Sequence, residues 1–186
     1  MKIVGITGSI ASGKTTVAHL MAGKKYPLFS ADVVVSNLYK KKSFNKILVK
    51  KFKLKGKETT KNEVKLILKK NKNSLYKLES IIHPFVRKEI KNFLKKKNKM
   101  LFLEIPLLLE SKLNKYFDKL IFVGAKKNLR LKRYLKKRGD KNIFRLLDKR
   151  QLPSVFKKNI CDYTINNNYS LAILRKNVKN FMKIYE

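Results

Sequence analysis

The sequence predicts an α/β fold, a mainly parallel sheet covered on both faces by helices and carrying a phosphate-binding loop. Two observations lead there. Short apolar runs alternate along the chain with longer stretches of helical spacing. The first run, Lys2-Ile3-Val4-Gly5-Ile6-Thr7, opens directly into Gly8-Ser9-Ile10-Ala11-Ser12-Gly13-Lys14-Thr15, and a helix-compatible stretch, Thr16-Val17-Ala18-His19-Leu20-Met21, follows.

That strand, loop and helix context is what the loop pattern requires. Glycines let the backbone close around phosphate oxygens, so that successive N–H groups and the next helix's N-terminus point at negative charge. Lys14 is placed to reach the β- and γ-phosphates, and the Thr15 hydroxyl to ligate Mg²⁺. Gly8 through Thr16 are therefore the ATP-binding candidates; the alternative is a glycine turn that binds nothing.

Composition narrows the class. With 186 residues the chain fits one domain able to bury a core and carry an insertion. No apolar stretch approaches the roughly 20 residues of a membrane-spanning helix, and no basic region with a cleavage site opens the chain. The expectation is a soluble, cytoplasmic protein with no membrane partner. The single cysteine, Cys161, excludes an internal disulfide and a cysteine-rich metal site, and its expected role is packing near the start of a strand. The formal charge of +35 would suggest nucleic acid, but the excess is lysine scattered through nearly every polar stretch, as in Lys40-Lys41-Lys42 and Lys95-Lys96-Lys97. We read it as compositional bias that attracts anionic substrates without making a specific nucleic-acid partner.

The remaining strands are expected at Leu28 to Ser30, Met100 to Ile105, Leu120 to Gly124 and Asp162 to Ile165. In open parallel sheets ligands gather at the carboxyl ends of strands, so functional residues should follow these runs: Gly8, Asp32, Glu104, Gly124 or their neighbours. Residues 33–99 carry no strong strand signal and read as several helices. Leu75, Leu78, Ile81 and Ile82 supply one apolar face, and Val86, Ile90, Phe93 and Leu94 another after a break at Pro84. Between Arg130 and Gln151 stand Arg130, Arg133, Arg138, Arg145 and Arg150, five of the chain's seven arginines. Their forked guanidinium groups make planar contacts with phosphate that lysine does not.

A phosphate loop in so short a chain points to a small-molecule kinase. Further segments then make the chain resemble the dephospho-coenzyme A kinase family over nearly its whole length: Ser30-Ala31-Asp32, Ile81-Ile82-His83-Pro84-Phe85-Val86-Arg87, Glu104-Ile105-Pro106-Leu107-Leu108-Leu109-Glu110, Arg150-Gln151 and Asp162-Tyr163-Thr164-Ile165-Asn166-Asn167. The resemblance implies a nucleoside-monophosphate-kinase-like core with a five-stranded parallel sheet, a helical substrate domain and a mobile lid. In one P-loop kinase domain, the core would occupy about 1–32, 100–128 and 160–186, the acceptor-substrate insertion about 33–99 and the lid about 129–159. The activity implied is ATP-dependent phosphorylation of the ribose 3′-hydroxyl of dephospho-coenzyme A. Another small-molecule kinase, acting on a nucleoside or nucleotide, and a phosphate-loop protein that binds nucleic acid are the alternatives.

Site residues follow from that resemblance. Asp32 matches the second acidic position of the family's Asp-Ala-Asp motif and is assigned the catalytic carboxylate; the alternative is a cap on a helix starting at Val33. Ser30 stands where the family has its first acidic residue. His83 and Arg87 are substrate-contacting candidates, against a helix boundary with Pro84 in the first turn. Pro106 and Leu107 shape the substrate cleft. Glu104 is placed to position Mg²⁺ through water, or alternatively lies on the surface orienting backbone groups. Arg133 is the first choice among lid arginines for countering charge on the transferring phosphoryl group, against a solvated helix face. Asn167 is placed near the adenine of ATP, or forms a turn.

Overall fold

Val4, Gly5, Ile6, Thr7 and Gly8 are buried in succession, the pattern of a strand covered on both faces. The computed structural model describes residues 1–71 and 73–185. Lys72 and Glu186, which fall in the expected insertion and the last core segment, lie outside the described residues.

Strands β1 (Lys2–Gly8), β2 (Leu28–Ser30), β3 (Met100–Glu104), β4 (Lys119–Gly124) and β5 (Tyr163–Asn166) form one parallel sheet in the order β2-β3-β1-β4-β5. The five expected runs are these strands, each within a residue or so of its expected ends. From β1 the chain passes through α1 (Lys14–Ala22) toward β2 on one side, and from β3 it crosses to β4 on the other. The carboxyl end of β1 is thus the point where connections diverge, which is where open sheets hold ligands.

Chain contacts divide the protein into two units. One comprises residues 1–30 and 96–186, the other 31–95. In the first unit α1 and α9 (Leu171–Tyr185) contribute Val17, Ala18, Met21, Leu174, Val178 and Phe181 to a core with Val4, Ile6, Phe102, Ile121 and Val123. Strand alternation gives the opposite face Leu101, Leu103, Leu120 and Phe122, all buried. Gly5 serves that second face: a Cβ there would lie 2.8 Å from Leu108 and 2.9 Å from the Phe117 ring. Each large side chain wholly buried in this way stabilises the fold by about 1.5–3 kcal/mol. Helices α6 (Lys127–Lys136), α7 (Lys141–Arg150) and α8 (Ser154–Ile160) complete the unit. Cys161 caps the end of α8, and burial pushes its thiol pKa up to about 11.

The second unit holds α2 (Ala31–Leu38), α3 (Lys42–Phe52), α4 (Thr60–Lys70) and α5 (Asn73–Phe93) around Leu38, Phe44, Leu48, Val64 and Leu78. Two expectations change here. Pro84 does not break the chain into two helices; it sits inside α5. An internal proline costs about 3 kcal/mol through its missing N–H and its clash with the preceding turn. Leu78, Ile81, Ile82 and Phe85, on both sides of it, all pack on the same core, and Phe85 meets Phe44 edge-on at 5.5 Å. Burial of that continuous face outweighs the local defect. The other change is at Asp32, which does not cap a helix starting at Val33. The helix begins at Ala31 and Asp32 lies in its first turn, where its charge favours the helix dipole.

Candidate active site

The loop after β1 is shaped by close approaches that only glycine allows. A Cβ on Gly8 would collide with the Val123 carbonyl oxygen, and one on Gly13 with the Asn167 side-chain amide. Gly13 also has φ 96°, and Ala11 between them is left-handed at φ 57°. The Ser12 N–H closes a tight turn on the Ser9 carbonyl at 3.1 Å. Gly13 is the N-cap of α1 and offers no side-chain cap, so the helix's first amides are left for a ligand. Lys14 is buried and arches back over the loop, its Nζ donating to the Ser9 carbonyl at 3.1 Å.

Beside the loop, Glu104 ends β3 wholly buried. Its Oε1 accepts from the Thr15 hydroxyl at 2.7 Å and its Oε2 from the Ser30 hydroxyl at 2.8 Å. The surface alternative for Glu104 therefore falls, because a hydroxyl from each neighbouring element holds its carboxylate in the interior. Asn167 supports the loop from below: its side-chain amide donates to the Ser12 carbonyl at 2.8 Å, and its own carbonyl accepts from Arg133 Nη2 at 3.0 Å. Arg133 Nη1 and Ser12 Oγ are buried without a hydrogen-bond partner. A buried, unpartnered guanidinium nitrogen beside a ring of backbone amides is suited to a phosphate oxygen.

Helices α6 to α8 reach the same loop. The Ile10 N–H donates to Gln151 Oε1 at 2.8 Å, the Ile10 carbonyl accepts from Arg130 Nη1 at 3.4 Å, and the Ser9 and Ser154 hydroxyls are 3.1 Å apart. Arg130 is only 5% exposed and also bonds Asp148 at 2.7 Å, tying α6 to α7. Burial works against the Asp148 charge, yet Arg130 and Lys127 outweigh it and hold its carboxyl below the usual range. Behind α8, Lys157 Nζ meets Glu110 Oε1 at 2.6 Å, with side chains 0% and 4% exposed, and the Leu152 N–H donates to the same oxygen at 2.9 Å. The lysine contact is an ion pair whose angles fall short of a hydrogen bond's.

Residues 2–172 match the family model for dephospho-CoA kinase. The chain belongs to the dephospho-CoA kinase family. It is accordingly a kinase with the phosphate-loop kinase fold. A dephospho-CoA kinase of Fusobacterium nucleatum is 33% identical over 187 residues, covering 96% of each chain. Among solved structures, TT1252 from Thermus thermophilus aligns with a TM-score of 0.79 at 25% identity, covering 100% of this chain and 98% of its own. Dephospho-CoA kinase from Campylobacter jejuni aligns with a TM-score of 0.64 at 25% identity, covering 98% and 96%.

Against that family pattern, the residues singled out from sequence are distributed as follows. Ser9, Ile10, Ser12, Gly13, Lys14, Thr15, Glu104, Arg133 and Asn167 are joined by the contacts above. Thr16 is exposed on the first turn of α1. Pro106 and Leu107 are half-buried, and the Pro106 carbonyl accepts from the Thr7 hydroxyl at 3.2 Å. In the other unit, Asp32 is exposed at the start of α2, while His83, half-buried, and Arg87, exposed, lie one turn apart on α5; the unbroken helix puts them on one face. Arg138 lies beyond the end of α6 with φ 58°. The solvated-face alternative fails for Arg130, which is buried.

Sequence reasoning missed the buried Glu110–Lys157 pair, the roles of Gln151 and Ser154 at the loop, and the Ser30–Glu104 bond. Ser30, Glu110 and Gln151 had a signal as members of matched segments, whereas Ser154 and Lys157 had none. Gly13→Ala should weaken nucleotide binding about 5- to 150-fold, the equivalent of the 1–3 kcal/mol that a non-glycine residue incurs in strained backbone. Titration with a fluorescent nucleotide checks it, and unchanged affinity would remove the close packing of Gly13 on Asn167 from the account.

Proposed function

We propose that this protein transfers the γ-phosphoryl group of ATP to the ribose 3′-hydroxyl of dephospho-coenzyme A, releasing ADP and coenzyme A. The observation that carries the reading is the family match across residues 2–172. The residues at the loop fit a magnesium nucleotide: uncapped amides at α1, the Lys14 ammonium, an unpartnered buried Arg133 nitrogen, and hard oxygen donors in Thr15 and Glu104.

In this reading Gly8 to Thr16 and Lys14 bind the triphosphate, and Thr15 holds Mg²⁺, with Glu104 behind it through water or through the Thr15 hydroxyl. Bound with the nucleotide, the cation supplies positive charge to the phosphate oxygens. Arg133 adds a donor toward the transferring group, and Asn167 keeps the loop in shape on the adenine side. Asp32 accepts a hydrogen bond from the 3′-hydroxyl and aims its oxygen at the γ-phosphorus; the new O–P bond forms as the bond to ADP breaks, and the hydroxyl proton leaves toward Asp32. Phosphoryl transfer has a loose transition state, so alignment contributes more than early proton removal. His83 and Arg87 bind the acceptor, and Pro106 and Leu107 line its cleft.

The partner is a small molecule; no specific nucleic acid and no membrane enter the reading. No helix among the described residues is long and apolar enough to cross a membrane. Coupled measurement of ADP formation tests the proposal. Turnover should require dephospho-coenzyme A and ignore nucleoside monophosphates, whereas stimulation by a monophosphate alone would replace this acceptor with another.

A further inference from the structure

Glu104 is held by two hydroxyls that arrive from different elements. Ser30 is the last residue of β2 and pairs in register with Glu104 on β3, so the backbone ladder itself delivers the serine side chain beside the carboxylate. Thr15 arrives from the first turn of α1. Each hydroxyl has one proton, and both are spent on Glu104, one per oxygen, at 2.8 Å and 2.7 Å. With its proton fixed on Oε1, the Thr15 oxygen has its lone pairs left for another partner.

The terminal torsion of a glutamate is broad and roughly two-fold. A carboxylate held at one oxygen only would swing, taking the Thr15 proton with it. The Ser30 bond removes that freedom. Serine also does this without adding charge: an aspartate at the same place would set two carboxylates together, and one would have to take up a proton or a cation.

We propose that Ser30 is a positioning residue for the divalent cation, acting through Glu104 to keep the Thr15 hydroxyl turned so that its lone pairs face the metal. The inference rests on the reading that Thr15 holds that cation. Groups that orient a metal ligand typically change metal affinity about 10- to 100-fold when removed; Ser30 stands one link further out, so about 3- to 10-fold is expected.

The test uses the full chain and a fluorescent ATP analogue, titrated with Mg²⁺. Ser30→Ala should raise the Mg²⁺ half-saturation for analogue binding about 3- to 10-fold, leave the metal-free affinity within about twofold of the parent, and be rescued by Ser30→Thr. Equal half-saturation in parent and Ser30→Ala overturns the inference alone. So does an equal loss of metal-free and metal-bound affinity, which marks a merely structural role. A parent protein with no Mg²⁺ dependence overturns the cation reading and this inference together. Should Ser30→Ala bind no analogue at all, Ser30→Cys, a weaker donor of similar size, is read on the same scale.

Discussion

Asp32→Asn lowers kcat by about 10²- to 10⁴-fold, the range typical of a positioned acid–base group, while nucleotide affinity stays within about twofold. The substitution keeps size and shape and removes the charge that orients the acceptor hydroxyl, whereas the triphosphate is held by the loop and Lys14. Asp32 is exposed in the first turn of α2, where loss of its charge weakens a dipole interaction of about 0.3–1 kcal/mol. Steady-state kinetics with saturating acceptor, beside a nucleotide titration and a melting curve, separate these effects. An unchanged kcat would remove Asp32 from the mechanism; a melting temperature that falls along with kcat would make its role one of stability.

Glu110→Ala should destabilise the protein by about 3–5 kcal/mol, the usual consequence of leaving one member of a buried ion pair without its partner. At this chain length that corresponds to a fall of about 6–20 °C in melting temperature. Lys157 is wholly buried, and the loss of Glu110 would strand both its charge and the Leu152 N–H. The pair itself is incompletely satisfied, since Glu110 Oε2 and Lys157 Nζ have no hydrogen-bond partner. The double variant Glu110→Leu with Lys157→Met should therefore recover most of the lost stability, because well-packed apolar replacements of buried pairs are often neutral or better. Thermal and denaturant unfolding decide it. A single variant that melts within about 1 °C of the parent would show that the pair adds nothing.

The sheet was legible because β1, β3 and β4 are short, mainly apolar and buried runs, while β2 and β5 offer only Leu28-Phe29 and Tyr163-Thr164-Ile165. The loop was legible because its residues are consecutive. Pro84 was misread because its local defect is visible in sequence, while the face that outweighs it, Leu78 with Ile81, Ile82 and Phe85, gains its energy only from α2 to α4 packed around it. Asp32 and its helix differ from expectation for a smaller reason: a helix can start two residues earlier than its first apolar position without any change in pattern.

The hidden part of the site is long-range. Ser30 and Glu104 are separated by 74 residues and Ile10 and Gln151 by 141, and nothing in either local segment announces the other. Lys157 was concealed differently. In a chain with 47 lysines and arginines, a single buried lysine carries no sequence signature, because its neighbours Lys158 and Lys149 are exposed members of the same background. Arginine's scarcity made the opposite case: the cluster from Arg130 to Arg150 stood out, and within it Arg130 bonds the Ile10 carbonyl and Arg133 the carbonyl of Asn167 beside the loop.

The central claim is the site at which phosphate is added, and the product reports it directly. After incubation with ATP, Mg²⁺ and dephospho-coenzyme A, the product should gain one phosphate, seen by mass, and show a new monoester resonance in the ³¹P spectrum that a 3′-specific nucleotidase removes. ATP consumed with the acceptor unchanged, or a phosphate resistant to that nucleotidase, would contradict the account.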